Sequence, residues 1–170
     1  MEASTGSLEI LVDEKEEFEF KCVKVADYKN GEFVLNESFE KSGVNLNDVR
    51  KGSDLRKAIE RLTAHEIQGT IVKTKNQVAK IESLSEGVYL LQCLPKEGYE
   101  VSPILVSIPQ WDVDEKEMSY HVNVIPKTEH IIETVDTGDS INVVPLIGLC
   151  IFSLIIVMII SGKAYFLKDK

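Results

Sequence analysis

Histidine, cysteine and lysine are the side chains through which this chain could do chemistry, and their spacing narrows the choice. The three histidines, His65, His121 and His130, are far apart and lack ligand spacing, so no metal site is indicated. Gly-rich phosphate loops and nucleophile elbows are absent as well, which leaves no cofactor and no catalytic constellation to name, and the chain reads as a non-enzyme. Of the three cysteines, Cys150 lies in an apolar C-terminal run, whereas Cys22 and Cys93 each sit inside a strand-like run. Two buried thiols are the simpler reading of that pair, with a disulfide left open because sequence does not place their Cα atoms. Gln92-Cys93 offers the amide and thiol of an internal thioester, but neighbours on a strand point to opposite faces. Asn36-Glu37-Ser38 has the N-glycosylation pattern. Trp111, beside Pro109 and followed by acidic residues, is expected to be a packing anchor beneath a loop, and His65 a solvated residue at a helix end. Lys127 follows Pro126 at the end of a strand-like run, where the bland reading is a solvated lysine.

The elements that must position these residues are mostly period-two. LEILV, FEFKCVKV, EFVL, QVAKI, GVYLLQC, ILVSI and SYHVNV are separated by turn signals such as Asn30-Gly31, Glu86-Gly87 and Glu97-Gly98. The fold class is therefore mainly β, a sandwich of about seven strands. In FEFKCVKV the apolar phase switches from Phe18, Phe20 and Cys22 to Val23 and Val25, which a β-bulge would reconcile. One segment departs from this period. Across residues 53–68, Leu55, Ala58, Ile59 and Leu62 recur at helical spacing, with Ile67 as a further candidate for that face, Ser53 or Asp54 as N-cap and Gly69 at the end. This predicts one inserted amphipathic α-helix that lies as a lid on the core.

The C-terminus sets the address. Residues 143–160 carry no charged side chain and match the length of one membrane-spanning helix, expected over 141–161. Glu129, Glu133, Asp136 and Asp139 precede it, and Lys163, Lys168 and Lys170 follow it. By the positive-inside rule the tail, 162–170, is cytoplasmic and the N-terminal domain lies outside. Export then requires a signal peptide upstream of MEASTGS, which has neither a basic nor an apolar region of its own. A tail-anchored cytosolic adaptor is the competing topology, and the lysine asymmetry speaks against it. The net charge of −9 makes nucleic acid an unsuitable partner.

From VADYKNGEFVLNESFEKSGVNLNDV through the helix to EGVYLLQCLPKEGYEVSPILVSIPQWDVDEKEMSYHVNVIPK, the chain resembles the pilin and collagen-adhesin B-type (prealbumin-like) domains of Gram-positive surfaces. The phrase Pro103-Ile104-Leu105-Val106-Ser107-Ile108-Pro109 and the closing Val122-Asn123-Val124-Ile125-Pro126-Lys127 carry the likeness. It implies a prealbumin-like (Ig-like) sandwich over residues 8–127, after a disordered 1–7 and before an acidic stalk at 128–140. It also implies a cell-surface structural or adhesion protein whose partners are the membrane, a sortase, other pilin subunits and a host matrix protein or glycan.

Three family chemistries can be carried over residue by residue. A sortase signal reads L-P-x-T-G; here Thr134, Val135, Asp136, Thr137 and Gly138 occupy its place, so Thr-Gly is present and Leu-Pro is not. An internal Lys-Asn isopeptide bond needs a buried amine, an amide and a carboxylic acid. Val12 stands at the lysine position, Gln92 or Cys93 at the glutamate and Ile125 or Pro126 at the asparagine, so no such bond is expected, with Asn123 as the remaining acceptor candidate. Lys127 matches the lysine that links subunits in polymerising pilins. The alternative reading is a membrane-anchored interaction subunit that is neither sorted nor polymerised.

Overall fold

A computed structural model describes residues 5–65 and 68–131, so the expected membrane span, the sorting motif and the basic tail lie outside the described residues. In chain order the strands are β1 (Gly6–Leu11), β2 (Glu19–Lys29), β3 (Glu32–Leu35), β4 (Thr70–Lys73), β5 (Val78–Leu84), β6 (Gly87–Cys93), β7 (Tyr99–Val101), β8 (Ile104–Ile108), β9 (Gln110–Asp112), β10 (Glu117–Ser119), β11 (His121–Val124) and β12 (Thr128–His130). Between β3 and β4 come two 3-10 turns, Glu37–Ser42 and Leu46–Asp48, and the helix α1 (Gly52–Thr63). No helix among the described residues is long and apolar enough to cross a membrane.

Strand β2 is long enough to serve two neighbours on one edge. Its first half pairs with β4 (Phe20 opposite Val72) and its second half with β3 (Tyr28 opposite Phe33). Strand β6 runs along the other edge and carries β8 beyond it. The β2–β3 hairpin closes through Asn30 and Gly31, at φ of 53° and 90°, the positive-φ pair of a two-residue turn whose twist suits adjacent strands. The facing sheet has the order β11-β1-β5. Its β1–β11 pair is parallel, with Leu8 opposite Val122 and Ile10 opposite Val124.

Two hydrophobic clusters follow from the alternation of β2. Phe18, Phe20 and Cys22 join Leu8, Ile10, Tyr89, Leu91, Val106, Ile108 and Val122 between the two sheets. Val23 and Val25 point the other way, beside Val88 and Leu90 of β6, and Phe39 and Leu62 cover them. The phase switch in FEFKCVKV is thus corrected: both faces of β2 are buried, and simple alternation suffices for Val23 and Val25. A bulge does occur, one step later between Lys24 and Ala26, and it adds Ala26 to the same outer cluster as its neighbour Val25. The architecture is sheet, sheet, helix.

Helix α1 buries Ala58 and Leu62 over the outer face, so it is a lid on the second face of a sheet. It is shorter than 53–68 and begins differently. Lys51, extended at φ −131°, is the N-cap, and its carbonyl accepts from the amides of Asp54 and Leu55 at 3.0 Å each. Ser53 and Asp54 fall inside the first turn, where Asp54 still complements the helix dipole. Gly69 does not end the helix. A Cβ there would lie 2.6 Å from the Cys22 carbonyl oxygen and from Val23 Cγ2, so glycine is what lets the chain approach β2 before β4.

Three further expectations are revised. Twelve strands replace seven among the described residues, the additions being β4 and the three-residue pieces β7, β9, β10 and β12. Gly6 and Ser7 belong to β1 and are buried, so the domain starts inside the segment assigned to disorder. Pairing also runs past Lys127 into the segment assigned to the stalk: Thr128 faces Val101, His130 faces Tyr99, and the Ile131 amide donates to the Gly98 carbonyl at 2.9 Å.

Candidate functional site

Lys127 is fixed at its backbone and free at its tip. Pro126 before it is buried, its own carbonyl accepts from the Ser102 amide at 3.0 Å, and β12 begins one residue later. The side chain is 74% exposed, and its Nζ lies 2.5 Å from Glu129 Oε1. A hydrogen bond and the charge of Glu129 raise the pKa of Lys127 above the ordinary lysine value, and Lys127 lowers that of Glu129. The resting amine is therefore protonated and salt-bridged. As a nucleophile it must first lose a proton, and Glu129 is the nearest carboxylate.

The positions that would carry an internal isopeptide bond are filled otherwise. Val12 is buried in the inter-sheet core, Gln92 and Cys93 are half-buried, Pro126 is buried, and Ile125 is 63% exposed. Asn123 is exposed on β11 while its neighbour Val122 points into the core. Among the described residues the buried polar side chains are those of Ser7 and Thr74, and no lysine is buried. A dry amine beside a dry amide is the chemical requirement, and these positions do not supply it.

The cysteines and histidines scatter over the domain. Cys22 and Cys93 are free thiols, one buried and one half-buried, on diagonal positions of β2 and β6. Burial pushes the Cys22 thiol up to about 11, and burial also raises Cys93. Neither is an activated nucleophile. His65 stacks edge-on against Phe39 at 6.0 Å between centroids, and His130 binds Glu14 Oε1 at 2.9 Å with Tyr99 4.6 Å from its ring. His121 Nδ1 is 2.7 Å from Ser7 Oγ. Among the described residues no cluster of histidine, cysteine and carboxylate could hold a metal. Asn36 of the glycosylation pattern donates its side-chain amide to the Lys24 carbonyl at 2.8 Å.

Trp111 contradicts its expected role. It is 56% exposed on the two-stranded ribbon β9–β10, opposite Met118, which is 51% exposed. With Gln110, Asp112, Ser119, His121 and Asn123 it lines a depression of about 190 Å³ beside β11. The sequence reading missed this group, because a lone tryptophan in a short turn-rich stretch has no local period that would mark it as exposed.

The two-sheet arrangement can be set beside known proteins. No family model matches the sequence, and no curated protein matches it. Solved structures do. The full-length major pilin SpaD from Corynebacterium diphtheriae superimposes with a TM-score of 0.52 at 22% identity, covering 75% of this chain and 30% of that one. The T6 backbone pilin of serotype M6 Streptococcus pyogenes, described as modular with three domains, gives 0.54 at 17% identity, covering 76% of this chain and 29% of that one. The chain thus spans about three tenths of the length of either pilin, and at these identities the likeness is one of fold. The described residues have a pilin-like B-type fold.

Proposed function

We propose that this chain is a non-catalytic, pilin-like structural and adhesion protein displayed on the surface of a Gram-positive cell. The observation that supports this best is the pilin-like sandwich, with the parallel β1–β11 pair in its second sheet, directly followed by a P-K phrase whose lysine is exposed. In this reading residues 141–161 anchor the domain in the membrane, 162–170 face the cytoplasm, and Thr134, Val135, Asp136, Thr137 and Gly138 form a degenerate sorting motif. Lys127 would accept the acyl group of a neighbouring subunit from a sortase. The neutral amine attacks the thioester carbon, the amide bond forms, and the enzyme thiol leaves with the amine's proton balancing the charge.

A second reading has its own observation. Thr134 and Val135 stand where Leu and Pro would present the Thr-Gly bond, which favours a membrane-anchored interaction subunit that is neither sorted nor polymerised. Native cells separated into detergent-soluble membrane and muramidase-released wall fractions, boiled in SDS and immunoblotted beside a Lys127→Ala strain, distinguish the two. A covalent high-mass ladder that disappears in the variant supports the pilin subunit. A single detergent-released band removes polymerisation and leaves the anchored interaction subunit. Resistance to protease added to intact cells would remove surface display altogether.

A further inference from the structure

We propose that the depression between the β9–β10 ribbon and β11 is a binding site for a neutral pyranose sugar, with Trp111 as the stacking platform. The site deepens the adhesion reading, on which its biological use rests, but its chemistry stands apart from how the chain is displayed. An indole half in solvent on a two-stranded ribbon is a large apolar face left without a protein neighbour that buries it. Its negative π face attracts the weakly positive axial C–H groups of a pyranose while covering the ring's apolar side.

The surrounding groups match hydroxyl chemistry. Neighbouring sugar hydroxyls each donate and accept, and a side-chain amide or carboxylate can meet such a pair from one side. Gln110 and Asn123 line the site with side-chain amides that have no hydrogen-bond partner among the described residues. Asp112 spends Oδ1 on the backbone amides of Asp114 and Glu115, at 2.8 and 3.1 Å, and keeps Oδ2 available. His121 is oriented through Nδ1 by Ser7, which leaves Nε2 for a ligand. Ser119 supports the site from within, donating to the His121 carbonyl at 2.8 Å and accepting its amide at 3.2 Å. The solvated groups exchange water for hydroxyls without a buried cost.

Size and charge select the ligand class. A depression of about 190 Å³ is of the size of a single sugar ring. No lysine or arginine lines it, and along the ribbon and its turn Asp112, Asp114, Glu115 and Glu117 outnumber the single cation Lys116. Anionic sugars are therefore repelled and neutral ones admitted.

Trp111 is the single tryptophan of the chain, so its fluorescence reports this site alone. The full chain, in a detergent without a sugar headgroup, is titrated with glucose, galactose, mannose, N-acetylglucosamine and N-acetylgalactosamine, and with N-acetylneuraminic acid as the anionic control. At least one neutral sugar should shift the emission saturably, with a dissociation constant of about 1 mM for one ring on an open site. The anionic sugar should leave it unchanged. Asn123→Ala should weaken binding about five- to tenfold, the loss of one neutral hydrogen bond. Trp111→Ala removes the reporter, so it is read by saturation-transfer NMR on the sugar, whose signal should vanish. No saturable shift with any neutral sugar overturns the proposal. So does a transfer signal that survives in Trp111→Ala, or unchanged affinity in Asn123→Ala. All of these outcomes are measured on purified protein, so they stand whatever the fractionation of cells shows.

Discussion

The two faces of the β2–β6 sheet are buried by different means. The inner face carries Phe18, Phe20, Tyr89 and Leu91 against a second sheet, and its contacts join Leu8 near one end of the domain to Val122 near the other. The outer face carries the smaller Val23, Val25, Ala26, Val88 and Leu90 under Phe39 and Leu62, all within one stretch of chain from β2 to β6. The inner cluster therefore holds the topology together, while the outer cluster seals an insertion onto a sheet that already exists. Large side chains are used where two sheets must be spaced about 10 Å apart, and small ones where a helix must approach a bulged strand.

The strongest way to break this contrast is a pair of truncations. Phe20→Ala opens a cavity in the inter-sheet core and should cost about 3–5 kcal/mol, measured by urea unfolding of the chain. Leu62→Ala on the outer face should cost about 2–4 kcal/mol, because α1 can settle toward the sheet and reduce the void. Equal losses would show that the lid is as integral as the second sheet. Hydrogen exchange sharpens the point: Leu62→Ala should speed exchange of α1 amides while those of β1 and β6 keep most of their protection. Uniform acceleration across both would place the helix and the sandwich in one cooperative unit.

Thr74 tests how the inner core is closed at its edge. Its side chain is fully buried, its Oγ1 accepts from the Phe18 amide at 2.8 Å, and its own amide donates to the Phe18 carbonyl at 2.9 Å. Thr74→Val keeps the volume and strands the Phe18 amide, at a cost of about 1–3 kcal/mol. A neutral result in urea unfolding would mean that water or a backbone shift satisfies that donor.

The strands β6 and β8 were legible because short apolar runs bounded by turn signals read as strands buried on both faces: GVYLLQC and ILVSI match them residue for residue. The helix was legible from Leu55, Ala58, Ile59 and Leu62, but its ends were not, because Lys51 caps through its backbone alone and Gly69 answers to β2. β4 escaped notice since TIVK is largely exposed and is held by pairing to β2, which leaves little alternation to read. Lys127 could be singled out by its P-K setting, yet its pairing with Glu129 is a product of the β12 geometry. Trp111 was misjudged for a similar reason: whether a lone aromatic is covered depends on where a three-residue ribbon projects, and no local period encodes that.

The smallest expected effect concerns charges that belong to neither core. Asp27 is held below its ordinary pKa chiefly by hydrogen bonds from Lys24 and Lys29, Glu16 by Lys96, Glu17 by Lys73, and Glu82 by Lys80. Each folded-state pKa is depressed, so the associated stability is present above the unfolded values, 3.8 for Asp and 4.5 for Glu, and is lost as pH falls through the folded ones. The midpoint temperature should therefore hold level from neutral pH to about 5 and decline below it. High salt should flatten that decline, because these pairs are exposed. Since the pairs lie outside both hydrophobic clusters, Phe20→Ala and Leu62→Ala should shift the whole profile down without changing its shape. A different acid slope in Leu62→Ala would tie Asp27, on the same half of β2 as the bulge, to the packing of the outer face. A midpoint that rises on acidification would contradict the sign of every one of these shifts.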